Sequence, residues 1–176
     1  TAQLAAAGAR VTAVEKDAKR AGRLGENLRR LGLEAELAVA DVLDWAPAEK
    51  FDAILLDAPC TATGTMRRHP DVPFLKRASD VAPLADLQRR MLAAAARQLK
   101  PGGRLVFATC SLQPEEGEAH LAAAAALGLE PDPVRPEEVP GLAEALVTTS
   151  ARRCLVLNLA APRGEASGMS AADHVR

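Results

Sequence analysis

Two short apolar runs, each leading into a cysteine, constrain the possible fold of this chain more than any other feature of the sequence. Residues 51–56 lead through Asp57 to Cys60, and residues 103–108 lead to Cys110. Short apolar runs bounded by turn residues are typical of buried strands in a parallel sheet, and ligands collect at the carboxyl ends of such strands. The pattern therefore indicates an active site with two thiols and a carboxylate, unless both cysteines are only small buried hydrophobic residues.

Strands and helices alternate along the rest of the chain. Asp17 and Gly32 have the residue types expected at the start and the end of a helix. We expect helices over residues 1–7, 17–31, 84–99 and 115–127, and strands over residues 10–15, 34–40, 51–56, 104–108 and 153–160. Strands that alternate with helices imply right-handed crossovers. The predicted fold class is therefore α/β, with a Rossmann-like, doubly wound and mostly parallel sheet.

Composition sets limits on partners. The 176 residues fit one domain, and a net charge of -1 with 48% hydrophobic residues is typical of an ordinary soluble protein. Only 2% of the residues are aromatic, so stacking platforms for unpaired bases are few. Because phosphate contacts need a basic surface, the near-neutral charge argues against strong nucleic-acid binding by this chain alone.

The cysteine count argues against a disulfide framework and a metal site. Three cysteines, spaced far apart, form no CxxC pattern, so we expect no metal and a reducing compartment such as the cytoplasm. No segment is apolar for long enough to span a membrane, and no signal peptide is recognisable. Nothing in the sequence indicates an oligomeric state.

The residues around the two cysteines resemble a known family. The matching segments are Asp57-Ala58-Pro59-Cys60-Thr61-Ala62-Thr63-Gly64, Met66-Arg67-Arg68-His69-Pro70-Asp71, Leu99-Lys100-Pro101-Gly102-Gly103, Thr109-Cys110-Ser111 and Pro114-Glu115-Glu116. Their order and spacing resemble the Fmu/Sun-type RNA (cytosine-5) methyltransferases, the ribosomal RNA small-subunit methyltransferase B-like enzymes. The resemblance implies a class I S-adenosylmethionine-dependent methyltransferase that methylates carbon 5 of cytosine in RNA, here ribosomal RNA.

The resemblance also implies the catalytic roles. Cys110 is expected to add to carbon 6 of cytosine, and Cys60 is expected to assist breakdown of the covalent adduct. Thiolates suit this chemistry because they are strong nucleophiles near neutral pH. Asp57 is our candidate both for a hydrogen bond to the ring and for cofactor binding, with a simple turn cap as the alternative. Pro59 is expected to fix the turn beside the substrate.

Other candidate site residues follow from position. Glu15 ends a strand where an acid binds ribose hydroxyls in dinucleotide-type folds, and Asp41 ends the next strand, where family members contact adenine. The alternatives are a solvated acid for Glu15 and a turn-capping acid for Asp41. Arg67, Arg68 and His69 are candidate RNA contacts, with a solvated basic loop as the alternative. His120 is expected on an exposed helix face.

The first element of the predicted series of helices and strands bears on the domain assignment. It begins on a helix, whereas the resembling family places a central strand and a glycine-rich turn before that helix. We therefore expect residues 1–160 to be an N-terminally truncated catalytic domain with weak cofactor binding, followed by a frayed or diverged tail over residues 161–176. Two other hypotheses remain open. They are a degenerate methyltransferase fold without activity, and a different Rossmann enzyme with a cysteine nucleophile.

Overall fold

The computed structural model describes residues 1–133 and 154–160. The chain divides into two compact units, residues 1–49 and residues 50–176. None of the helices in the described residues is long and apolar enough to cross a membrane. The predicted tail, residues 161–176, lies outside the described residues.

The first unit is built around one pair of parallel strands. Its elements are α1 (Ala2–Ala6), β1 (Thr12–Glu15), α2 (Ala18–Leu31) and β2 (Glu36–Val39). Strands β1 and β2 pair from Thr12 with Glu36 to Glu15 with Val39. Both strands therefore present their carboxyl ends, and the acids that follow, at the same edge of this sheet.

Helix α2 begins and ends as the sequence predicts. The Asp17 carboxylate accepts a hydrogen bond from the Arg20 backbone N–H at 2.9 Å, which caps the first turn. Gly32 has a φ of 65°, in the left-handed region, where glycine is favoured because it has no Cβ. Ala21 and Leu28 are the buried residues of the helix, so one face packs and the rest is exposed.

The second unit carries both cysteine motifs. Its elements are β3 (Phe51–Asp57), α3 (Val72–Leu75), α4 (Val81–Gln98), β4 (Leu99–Ala108), α5 (His120–Ala126), β5 (Leu129–Pro131) and β6 (Cys154–Leu159). The sheet order is β3-β4-β6-β5. Strands β3 and β4 are parallel, whereas β6 runs antiparallel to both β4 and β5. This antiparallel end was not apparent from the alternation of strands and helices.

The hydrophobic core of the second unit lies between α4 and the sheet. Its largest buried apolar side chains, all at most 1% exposed, are Phe107, Leu92, Leu99, Leu105, Leu129 and Leu157. Complete burial of a side chain of this size contributes about 1.5–3 kcal/mol. The core therefore anchors β3 and β4, whose ends carry the cysteines.

Two predicted helices in the second unit have different limits in the structure. Helix α4 begins at Val81, earlier than the predicted Leu84. Helix α5 begins at His120 rather than at residue 115, because a short 3-10 turn over Pro114–Glu116 comes first. Gly117 separates the two with φ -136° and ψ -104°, a conformation outside the helical region.

Candidate active site

The two cysteines meet at the carboxyl edge of β3 and β4. Asp57 and Ala108, the last residues of these parallel strands, lie opposite each other, and the Ala58 N–H donates to the Ala108 carbonyl at 2.9 Å. Cys60 and Cys110 follow shortly after these ends, and their Sγ atoms are 3.3 Å apart. The structure thus brings together the two thiols that the sequence predicted at this edge.

The two thiols differ in environment. Cys110 is exposed and Cys60 is half-buried. Burial, followed by the hydrogen bond with Cys110, raises the pKa of Cys60 from 9.0 to about 11. Cys60 is therefore a protonated thiol at neutral pH, and its S–H can donate to the Cys110 sulfur at the observed distance.

The segment after β3 is called the Cys60 loop (residues 58–65), and the segment after β4 is called the Cys110 loop (residues 109–113). Hydrogen bonds join the two loops. The Gly64 N–H donates to the carbonyl of Cys110 at 2.8 Å, and the Leu112 N–H donates to Thr63 Oγ1 at 2.8 Å. The Thr61 and Ser111 hydroxyls are 3.0 Å apart. The sulfur contact is therefore part of a wider connection between the two loops.

A buried carboxylate lies beneath the Cys60 loop. Glu116 is 0% exposed. It accepts hydrogen bonds from the Thr61 N–H at 2.9 Å and from the Gln88 side-chain amide at 3.1 Å, both at Oε1, and from the Thr61 hydroxyl at Oε2. Gln88 also donates to the Pro59 carbonyl at 2.8 Å. Helix α4 and the Pro114–Glu116 turn therefore hold the Cys60 loop from below.

His120 extends this network, which corrects the expectation of an exposed helix position. The residue is only 4% exposed, and its Nε2 lies 2.8 Å from Gln88 Oε1. Because the Gln88 amide nitrogen already faces two acceptors, its oxygen must accept here, so His120 donates from Nε2. Burial lowers the pKa of His120, and nearby Glu116 opposes that shift. His120 is therefore neutral near pH 7.

Asp57 ends β3, and Pro59 directly precedes Cys60. The Asp57 side chain is exposed and has no hydrogen bond or ion pair within the described residues. It is therefore not the turn cap considered as the alternative. The Pro59 ring is exposed, and its carbonyl is held by Gln88. Asp57 therefore presents to solvent a carboxylate that has no partner within the described residues.

The basic segment beyond Cys60 is open to solvent. Arg67, Arg68 and His69 are all exposed. None of them forms an ion pair within the described residues, whereas Arg104 pairs with Asp132 at 3.0 Å. Phe74 follows on α3 and is 88% exposed. The segment therefore offers unneutralised cations and one exposed aromatic ring.

Glu15 ends β1, and Asp41 follows β2. Glu15 Oε1 accepts from the Asp17 N–H at 2.8 Å and pairs with Arg20 at 3.1 Å. Asp41 pairs with Lys16 at 2.7 Å and accepts from the Leu43 N–H at 3.0 Å. Neither bond to Glu15 uses Oε2, which leaves an acceptor of the kind that ribose hydroxyls need.

Comparison with known proteins decides the family. The model of the family described as 16S rRNA methyltransferase RsmB/F matches residues 1–132. The chain belongs to the RsmB/F family. This family consists of S-adenosylmethionine-dependent RNA methyltransferases, so the sequence resemblance and the Rossmann-like class I fold are both confirmed.

Curated ribosomal RNA methyltransferases are similar to this chain over about two thirds of its length. The ribosomal RNA small subunit methyltransferase B of Sodalis glossinidius is 52% identical over 118 residues, which are 65% of this chain and 27% of that protein. The protein of the same name from Vibrio cholerae is 51% identical over 116 residues, 64% of this chain and 27% of that protein. The chain thus spans about a quarter of the length of these relatives.

A solved structure supports the same fold. The crystal structure of NSun6 from Pyrococcus horikoshii with SFG superposes with a TM-score of 0.72 at 26% identity, covering 92% of this chain and 44% of that one.

Sequence reasoning missed three residues of the site in this RsmB/F chain: Thr61, Gln88 and Glu116. Gln88 carried a usable signal. It lies on the helical face defined by Leu84 and Leu92, and a polar residue on the apolar face of a helix is typically buried and needs a partner. Nothing in the sequence distinguished buried Glu116 from its exposed neighbour Glu115.

Proposed function

We propose that this chain is the catalytic part of an enzyme that methylates carbon 5 of cytosine in small-subunit ribosomal RNA through a covalent cysteine adduct. The 3.3 Å contact between Cys60 and Cys110 at the carboxyl edge of β3 and β4 carries this proposal. One exposed thiol beside one protonated thiol is the arrangement that addition and release require. A ribosomal RNA substrate would place the activity in the cytoplasm.

Cys110 performs the addition. Its exposed sulfur attacks carbon 6 of the cytosine, forming an S–C bond and moving electron density onto carbon 5. Carbon 5 is a poor nucleophile in the free base, and covalent addition activates it by dividing one difficult step into easier ones. S-adenosylmethionine, when bound, supplies the methyl group.

Cys60 assists release. After methyl transfer, solvent water takes the proton from carbon 5, and the electron pair of that C–H bond re-forms the double bond between carbons 5 and 6. The bond between carbon 6 and the Cys110 sulfur breaks, and its electron pair returns to that sulfur. The Cys60 S–H, 3.3 Å away, donates a hydrogen bond to the departing thiolate. Since the pKa of Cys60 is raised to about 11, its proton is present at neutral pH for this purpose.

Three carboxylates serve ligand binding in the proposed enzyme. Asp57 is unpaired within the described residues, so its oxygens are free to accept hydrogen bonds from the cytosine ring or from the cofactor. A carboxyl group that hydrogen-bonds the ring near its third nitrogen stabilises the charge that develops there during the addition. Glu15 and Asp41 are assigned to the ribose and adenine of the cofactor, respectively.

The basic segment after Cys60 is proposed to contact RNA. Arg67 and Arg68 would bind phosphates, His69 and Pro59 would lie beside the target nucleotide, and Phe74 would stack on an unpaired base. Exposed cations without acidic partners bind phosphate and release counterions. This segment provides the local basic surface that the net charge of the chain does not.

We expect Arg67→Ala and Arg68→Ala each to weaken RNA binding and to reduce the salt dependence. Each lost phosphate contact should lower the slope of log affinity against log salt by about 0.7–0.9. Fluorescence anisotropy with labelled RNA at several salt concentrations measures this slope. Arg97→Ala, an exposed arginine on α4, is the matched control. Unchanged slopes in both variants would remove this segment from the RNA interface.

The reaction is tested in a chimera in which this chain replaces the matching segment of the Sodalis glossinidius relative. Small-subunit ribosomal RNA is incubated with the chimera and radiolabelled S-adenosylmethionine, then digested to nucleosides. We expect label in 5-methylcytidine. A folded chimera that yields no label would favour the degenerate, inactive fold, and label in another nucleoside would contradict the assigned chemistry.

A further inference from the structure

We infer that Glu116 is the positioning residue of the cysteine pair, holding the Cys60 loop so that its thiol stays within reach of Cys110. The inference deepens the proposed function and rests on it for its catalytic meaning. Its geometric content stands separately, because the distance between the sulfurs can be tested without RNA or cofactor.

Glu116 is a carboxylate buried without a charged partner in the described part of the chain. A carboxylate taken out of water is unfavourable unless strong donors surround it. Glu116 is 0% exposed, and none of the ion pairs within residues 1–133 and 154–160 involves it. Its stabilisation therefore comes from the neutral donors of Thr61 and Gln88.

The donors of Thr61 connect Glu116 to both cysteine loops. Thr61 directly follows Cys60, and both its N–H and its hydroxyl donate to Glu116. The same hydroxyl lies 3.0 Å from Ser111 Oγ, and Ser111 directly follows Cys110. One carboxylate is thus connected through a single threonine to the residues that follow both thiols.

Hydrogen bonds from Thr109 and Gln88 hold Glu116 itself in place. The Glu116 backbone carbonyl accepts from the Thr109 hydroxyl at 3.1 Å, and Oε1 accepts from Gln88. Gln88 is in turn held by His120 at 2.8 Å. Because a neutral histidine and a buried glutamine define the position of Glu116, the carboxylate can act as a rigid support for the Cys60 loop.

The bonding pattern separates the effects of two substitutions. Glu116→Leu has similar size but no acceptor, so the Thr61 and Gln88 donors lose their partner. Glu116→Gln keeps an oxygen at the Oε1 position for the Thr61 N–H and Gln88. Its amide nitrogen can then donate to the Thr61 hydroxyl, which can turn to donate to Ser111. Glutamine should therefore preserve the positioning that leucine destroys.

Phenylarsine oxide is the probe for the distance between the sulfurs. It forms two As–S bonds with two neighbouring thiols, and its oxygen leaves as water with the two thiol protons. In a Cys154→Ser background only Cys60 and Cys110 remain of the three cysteines. The affinity for the arsenical then reports how closely the two thiols are held.

We expect Glu116→Leu to lower the arsenical affinity at least about 10-fold, within the range for buried donors that lose an acceptor. Glu116→Gln should stay within about 3-fold of the parent chain on the same grounds. The exposed neighbour provides the matched control Glu115→Leu, which should leave the affinity unchanged. Leu92→Ala, a core substitution that lowers the melting temperature, should also leave it unchanged.

Full affinity in Glu116→Leu, or an equal loss in Leu92→Ala, would overturn the inference. If Glu116→Leu does not fold by circular dichroism, Thr61→Val decides, because it removes the hydroxyl between Glu116 and Ser111 and keeps the side-chain shape. We expect at least about a 3-fold loss for it, and parental affinity would overturn the inference. If the arsenical affinities change as expected but the chimera does not methylate RNA, the proposed function is rejected and the positioning role of Glu116 stands.

Discussion

Cys110→Ala abolishes methyl transfer in the chimera, with an expected loss of at least about 1000-fold, because removing a catalytic nucleophile leaves only binding and positioning. The substitution removes an exposed sulfur and makes no cavity in the core. Transfer of radiolabelled methyl groups to RNA measures the loss.

Two controls accompany the Cys110→Ala result. Circular dichroism should show an unchanged melting temperature, since Cys110 is exposed. Cys154→Ser should retain activity, because Cys154 has no proposed role in the chemistry. Loss of a single catalytic group usually lowers the rate about 10²–10⁴-fold. If Cys110→Ala retains more than about a tenth of the activity, the loss is smaller than this range, and another residue performs the attack.

Cys60→Ala is expected to have the second largest effect on the reaction, and this substitution should slow release of the RNA instead of preventing attack. The variant should still attack RNA through Cys110 but release it slowly, so that a protein–RNA adduct accumulates on a denaturing gel. Turnover should fall about 100-fold or more, the usual contribution of one proton donor. The adduct arises because the departing Cys110 sulfur loses its hydrogen bond from Cys60.

The double variant separates release from attack. Cys60→Ala combined with Cys110→Ala should form no adduct, since the attacking sulfur is gone. Cys60→Ser restores a hydroxyl donor at the same place and should give less adduct than Cys60→Ala. A Cys60→Ala chain with no more adduct than its parent would show that Cys60 serves packing rather than release.

Much of the cysteine site is predictable because it depends on strand direction. The apolar runs before Asp57 and before Cys110 have the pattern of buried parallel strands, and the ends of such strands meet at one edge. The pairing of Asp57 with Ala108 follows from that rule. Local signals also predicted helix α2, because Asp17 and Gly32 act on the backbone within a few residues.

The supporting network was not predictable in the same way. Its bonds join residues far apart in sequence, such as Thr61 with Glu116 and Gln88 with Pro59. His120 was expected on an exposed face, but it packs edge-on against Phe107 with ring centroids 5.1 Å apart. The reason is that a 3-10 turn and Gly117 set the direction of α5, and alanine-rich helices carry little periodic signal.

The most direct test of the covalent mechanism identifies the residue that RNA captures. Fluorine at carbon 5 of cytosine replaces the proton that must leave before the S–C bond breaks, so RNA carrying 5-fluorocytosine should trap the adduct. The chimera is incubated with this RNA and S-adenosylmethionine and digested, and mass spectrometry locates the attached nucleotide. The account predicts attachment at Cys110. Attachment at Cys60, or methylation of ordinary RNA without any trapped adduct, would contradict it.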